Sequence, residues 1–186
     1  MNKNPQLLPA RLYGDNILRT KLPEVDPLNP ALQSFIPDLI YTMYERDGVG
    51  LAANQVGSTF RVFVIDPYWS HEDAEPDPIV MINPIIESRE GEIEGEEGCI
   101  SLPGVYAKVH RAARITYSYT DVKGERHTDT VEGFPAVVIQ HEYDHLEGIV
   151  FTDRISTLSK LKVMRRLKEL SSLAVNGENI LEGFLE

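Results

Sequence analysis

The stretch Pro135-Ala136-Val137-Val138-Ile139-Gln140-His141-Glu142-Tyr143-Asp144-His145-Leu146-Glu147-Gly148 is the most informative in the chain. Pro135 suits the first turn of a helix and Gly148 the position just past its end, so a helix is predicted from Pro135 to about Glu147. Within it His141 and His145 are four residues apart. That spacing puts both imidazoles on one face, about one turn apart, where they can grip one metal ion. Glu142 stands beside them and can take a proton from a metal-bound water. Val138, Ile139 and Leu146 supply apolar surface that would bury the helix and keep the site partly dry. The bland alternative is an exposed polar helix whose histidines fall four apart by coincidence. His71, His110 and His127 lack this setting and read as ordinary histidines.

An open catalytic site needs a third protein ligand. Cys99, between Gly98 and the turning segment at Pro103-Gly104, is the candidate. Lone cysteines also serve as small buried hydrophobes. A thiolate with two imidazoles is, however, a recognised tight-binding set. Upstream, Gly48-Val49-Gly50-Leu51-Ala52-Ala53-Asn54-Gln55 is rich in small residues that allow close backbone approach. It lacks the phosphate-binding lysine and the glycine spacing of a nucleotide loop. A tight packed turn is one reading. The other has the Gln55 amide donating to a developing oxyanion.

Around these segments, Asn29 and Pro30 open a helix candidate over residues 30–46, with Pro37 as its flaw. Arg61 to Asp66 and Ile79 to Ile82 read as strands, the second stopped by Asn83-Pro84. Residues 67–78 read as a surface loop. Residues 87–97, with six glutamates, read as a solvated edge or loop. Ala113 to Tyr119 and Arg126 to Val131 form a hairpin about Asp121-Val122-Lys123-Gly124. A last helix covers about 157–173, its apolar stripe of Leu158, Leu161, Met164 and Leu167, widened by Val163 and Leu170, expected to pack on the core. Residues 1–28 read as an extended arm. After Asn176-Gly177, an acidic and apolar tail either folds back or frays. Strands without strand–helix alternation indicate an α+β domain. At 186 residues a single domain spanning 1–186 is expected, with the arm at one end and the helix and tail, about 157–186, at the other.

Composition narrows the function. Hydrophobic residues make up 42%, a globular value. The formal charge of −11 argues against broad nucleic-acid binding and against anionic membranes. No apolar run nears the roughly 20 residues that span a bilayer. One cysteine excludes an intrachain disulfide framework, and with no signal-like core in residues 1–15 the simplest address is a reducing cytoplasm.

Taken together, Gly48 to Gln55, Glu97-Gly98-Cys99-Ile100-Ser101 and His141 to His145 resemble, in order, the three motifs of the peptide deformylases. Gly14-Asp15 followed by Leu18-Arg19 is similar to that family's N-terminal signature. The resemblance runs from about residue 12 to 155. It implies small antiparallel sheets packed around a central metal-binding helix. It implies Cys99, His141 and His145 as metal ligands, Glu142 as general acid and base, and Gln55 with the Ile100 backbone N–H as oxyanion donors. It places Gly50 where backbone holds substrate, and Val49, Phe134, Val137 and Val138 around the methionine side chain. The implied reaction removes the N-formyl group from the initiator methionine of new polypeptides and releases formate. The implied cofactor is one divalent ion, Fe2+ natively, with Zn2+, Ni2+ or Co2+ also accommodated. Ile100 stands in place of the common leucine, and Tyr106 where some members carry an arginine. The resemblance also makes plausible a ribosome contact through the basic last helix. Two other classes stay open on the residues alone: a metallopeptidase cutting internal peptide bonds, and a non-catalytic protein using the metal as a clip.

Overall fold

The computed structural model describes residues 4–183. Its architecture is α+β, centred on a five-stranded antiparallel sheet. The chain supplies β1 (Ala10–Arg11), α1 (Pro30–Glu45), β2 (Gly50–Ala52), β3 (Val62–Ile65), β4 (Ile79–Glu90), β5 (Ile93–Gly98) and β6 (Tyr106–Arg111). β7 (Arg114–Thr120), β8 (Arg126–Glu132), α2 (Phe134–Leu146), α3 (Thr157–Ser172) and β9 (Ile180–Leu181) follow. The main sheet runs β2-β3-β4-β7-β8, and β5-β6 and β1-β9 form two-stranded ribbons.

The two faces of β3 are both buried, which is why Val62 to Ile65 is an unbroken apolar run. Phe63 and Ile65 pack with Ala136, Val138, Ile139 and Leu146 of α2. Val62 and Val64 pack with Leu32, Ile36, Leu39 and Met43 of α1. Period-two alternation thus gives one strand a helix on each side. The Asn29 side chain caps α1 by accepting from the Ala31 N–H at 2.9 Å. The helix runs through Pro37, which lies on its exposed face, where the carbonyl it frees can meet water.

Three expectations need correction or narrowing. Asn83-Pro84 does not end β4. A register shift between Ile82 and Ile85 absorbs it, with Asn83 at a φ of 50°, and the strand continues to Glu90. Such irregularities admit proline inside a sheet. The bulge also pins the arm, since the Asn83 side chain exchanges hydrogen bonds with the Val25 backbone at 2.7 and 3.0 Å. Second, of the solvated edge or loop expected over residues 87–97 the structure has the edge: they complete β4 and supply β5, whose partner β6 gives alternate glutamates a structured ladder. Third, the apolar stripe of α3 is split. Leu167 and Leu170 are buried, whereas Leu158 and Leu161 are 67% and 59% exposed. Contact with Phe151, Val150 and β6 reaches only the helix's second half and Val163.

The arm carries β1 and a short 3-10 turn at Asn16–Arg19, capped by Asp15. The tail folds back, pairing Ala10 with Leu181 and Arg11 with Ile180. Residues 1–3 of the expected arm and 184–186 of the expected tail lie outside the described residues. Among the described residues, no helix is long and apolar enough to cross a membrane.

Candidate metal and catalytic site

Helix α2 carries its histidines to the point where the β5–β6 ribbon meets the segment after β5. Cys99 Sγ lies 3.3 Å from His145 Nε2. One ligand atom each from Cys99, His141 and His145 falls within 4.8 Å of the others. The donor set is soft sulfur with imidazole nitrogen, the chemistry suited to iron, zinc, nickel or cobalt. His141 Nδ1 is occupied by Glu97 Oε2 at 2.8 Å, so its other nitrogen is left for the cluster. Burial lowers both imidazoles. His145 stays well below its ordinary range, whereas hydrogen bonds to Cys99 and Glu97 carry His141 above it. The residues present fit a bound cation.

A polar chain behind His141 fixes it in place. Arg111 donates to both oxygens of Glu97 at 2.7 and 2.9 Å, and to Asp144 at 2.5 Å. Arg154 donates to the other Asp144 oxygen at 2.7 Å. Burial alone would raise Glu97, but the Arg111 and His141 hydrogen bonds and charges hold it down at about 2. Sequence reading missed Glu97 as a buried anchor because it ends a run of glutamates. It missed Arg111 because nothing local marks it. Alternation in β5 was the available signal, since Glu97 sits at the buried position of that strand.

Glu142 is 4% exposed, and burial pushes its carboxyl up to about 7. Its Oε2 has no hydrogen-bond partner among the described residues. Gly50 faces it so closely that a Cβ there would lie 2.7 Å from Glu142 Oε1. Glycine is required by this approach and not by backbone strain. Gln55 accepts the Ala52 N–H on its Oε1 at 2.8 Å, which turns its NH2 toward Cys99 Sγ at 3.2 Å. Asn54, at the neighbouring position, donates to the His145 carbonyl at 2.6 Å.

These groups open onto a cavity of about 520 Å³. Gln55, Cys99, Ile100, His141 and Glu142 form its chemical end. Val49, Gly50, Phe134, Val137 and Val138 line the rest, with Tyr106 at the rim. His145 stands behind that lining, 1% exposed. The structure thus brings every residue expected at the site to one place. The second grouping of possible ligands, Asp121, Glu125 and His127, sits apart in the β7–β8 hairpin and is partly or fully exposed.

A family model described as polypeptide deformylase matches residues 8–161. A peptide deformylase of Christiangramia forsetii is 43% identical over 183 residues, covering 92% of this chain and 93% of its own length. The crystal structure of a Legionella pneumophila peptide deformylase superposes with a TM-score of 0.80 at 38% identity, covering 90% of this chain and 97% of that one. The Thermus thermophilus enzyme gives a TM-score of 0.81 at 38% identity, covering 89% and 98%. Likeness of this extent, in sequence and in backbone alike, means that the chain belongs to the polypeptide deformylase family.

Proposed function

We propose that this metal-dependent peptide deformylase removes the N-formyl group from nascent N-formylmethionyl peptides by a division of labour among the residues above. The observation that carries the reading is the convergence of Cys99, His141 and His145 beside a buried, unpartnered Glu142 oxygen. Cys99, His141 and His145 would hold a divalent ion, which would make a bound water more acidic. Glu142, whose carboxyl burial raises to about 7, accepts the water's proton in its ionised form. The formyl carbon is attacked as its oxygen gains negative charge. Gln55 Nε2, its orientation fixed by Ala52, and the Ile100 N–H donate to that oxygen. Glu142 then returns the proton to the departing amine, and formate is released with a free amino terminus.

Val49, Phe134, Val137 and Val138 give the methionine side chain an apolar berth, with Gly50 holding the peptide backbone. Fe2+ is the native ion we propose, with Zn2+, Ni2+ and Co2+ as substitutes, and metal analysis of anaerobically purified protein decides between them. Residues 1–186 act as one catalytic unit, a reading supported by the β1–β9 pairing that joins arm to tail. The single thiol at the site suits a reducing, cytoplasmic setting. Exposed Lys162 and Arg165 on α3 support a ribosome contact. Co-sedimentation with ribosomes that survives charge reversal at Lys160, Lys162, Arg165 and Arg166 would remove that contact.

The test of the function is anaerobic formate release from a formyl-methionyl peptide by iron-loaded protein, with the N-acetyl peptide as control. Formate release with little acetyl cleavage is expected, because a narrow site favours the smallest acyl group. Absence of formate release from folded, iron-loaded protein would overturn the reading. Cleavage of unformylated peptides would bring forward an endopeptidase.

A further inference from the structure

Residues 67–78 take no part in the chemistry above, yet they reach two walls of the cleft. Trp69 Nε1 donates to the Gly48 carbonyl at 2.9 Å. The adjacent Tyr68 packs its ring on Phe134, with centroids 6.2 Å apart. Gly48 precedes β2 and Phe134 begins α2, so consecutive loop residues touch two segments that line the cavity. The loop is braced as well. Buried Asp66 Oδ2 accepts the Tyr44 hydroxyl at 2.6 Å and the Asp77 N–H at 2.8 Å, tying the segment's two ends to one carboxylate. Tyr44 and Trp69 meet edge to face at 5.3 Å.

Gly48 leads into the free edge of the main sheet. Asp66 N–H bonds to the Val49 carbonyl at 2.9 Å, and Gly50 stands opposite Ile65. Alternation in an antiparallel ladder then turns the Gly50 N–H and C=O away from β3. That edge, lining the cavity, is available to an extended peptide backbone. Its position is held from outside by Trp69, and the position of Phe134 by Tyr68.

We propose that Trp69 and Tyr68 are positioning residues that set how the formyl peptide's backbone and first side chain fit the cleft. Trp69 braces the 48–50 edge. Tyr68 keeps Phe134 from swinging outward, which holds the apolar berth narrow. The inference rests on the reading of this cavity as the substrate site.

Steady-state kinetics of the metal-loaded enzyme on formyl-methionyl and formyl-phenylalanyl peptides test it. Trp69→Phe keeps an aromatic ring beside Tyr44 and removes the donor with part of the indole. Its KM for the formyl-methionyl peptide should rise about two- to tenfold, the range for one lost hydrogen bond. Its kcat should stay within about twofold, since no reacting atom is touched. Tyr68→Ala should reduce the preference for methionine over phenylalanine, in kcat/KM, about threefold or more. Tyr68→Phe should restore that preference. A purely structural role would instead lower the active fraction, cutting kcat with KM and side-chain preference unchanged, and that result would overturn the proposal. Wild-type turnover in the same assay separates the two readings. An active wild type with indifferent variants removes the brace alone, whereas a folded, loaded and inactive wild type removes the substrate site and the brace with it.

Discussion

Helices α2 and α3 have 13 and 16 residues and treat their polar side chains in opposite ways. In α2, Gln140, Glu142, Asp144 and His145 are all buried. In α3 only Leu167 and Leu170 are buried, and the charged groups of Arg165, Arg166 and Glu169 pair in solvent. A charge inside must find a partner or lose its charge, whereas one outside has water. Buried Asp144 of α2 is offset by Arg111, which it shares with Glu97 of β5, and by Arg154. Polar side chains therefore carry structure and chemistry in one helix and little of either in the other.

The sharpest way to break this comparison is Arg111→Met. It leaves two buried carboxylates without their shared cation, and should destabilise the fold by about 3–5 kcal/mol in urea unfolding. A loss under about 1 kcal/mol, the level of a surface ion pair, would erase the contrast. Next comes acid. Glu97 is depressed from 4.5 to about 2 in the folded protein. A depressed carboxyl contributes stability that is present above its unfolded value and lost as pH falls through its folded value. Stability should therefore decline between pH 4.5 and about 2, and Glu97→Gln should flatten that part of the curve, as read by chemical unfolding across pH. The smallest effects belong to α3. Leu170→Ala should cost about 2–3 kcal/mol because its side chain is buried. Leu158→Ala should change stability by no more than about 0.5 kcal/mol. Equal thermal shifts for the two leucines would contradict the one-sided seating of α3.

That pair of leucines also shows what the sequence could and could not carry. Spacing identified α3 as a helix, because period 3.6 is local. Which stripe it buries depends on what lies beneath, and Leu158 projects beyond Phe151 and β6. The chemistry of α2 was legible for the opposite reason: His141, Glu142 and His145 are fixed to one another by helix geometry alone. Cys99 and Gln55 needed the family motifs, since nothing in their spacing from α2 says that the chain brings them together. Glu97 and Arg111 were hidden by the same logic. Their pairing is across the β5–β6 ladder, and a run of glutamates gives the same local pattern whether or not one points inward. Asn83-Pro84 looked like a stop because a proline usually ends a central strand, and the bulge that accommodates it is a tertiary device.

The most direct measurement is turnover of Glu142→Gln with its metal content determined alongside. Glutamine keeps the shape of the side chain and the ligands are untouched, so one metal per chain should remain bound. Formate release should fall about 10²–10⁴-fold, the contribution of a positioned general acid and base. Near wild-type turnover with metal fully bound would contradict the claim that the buried carboxylate of α2 moves the proton.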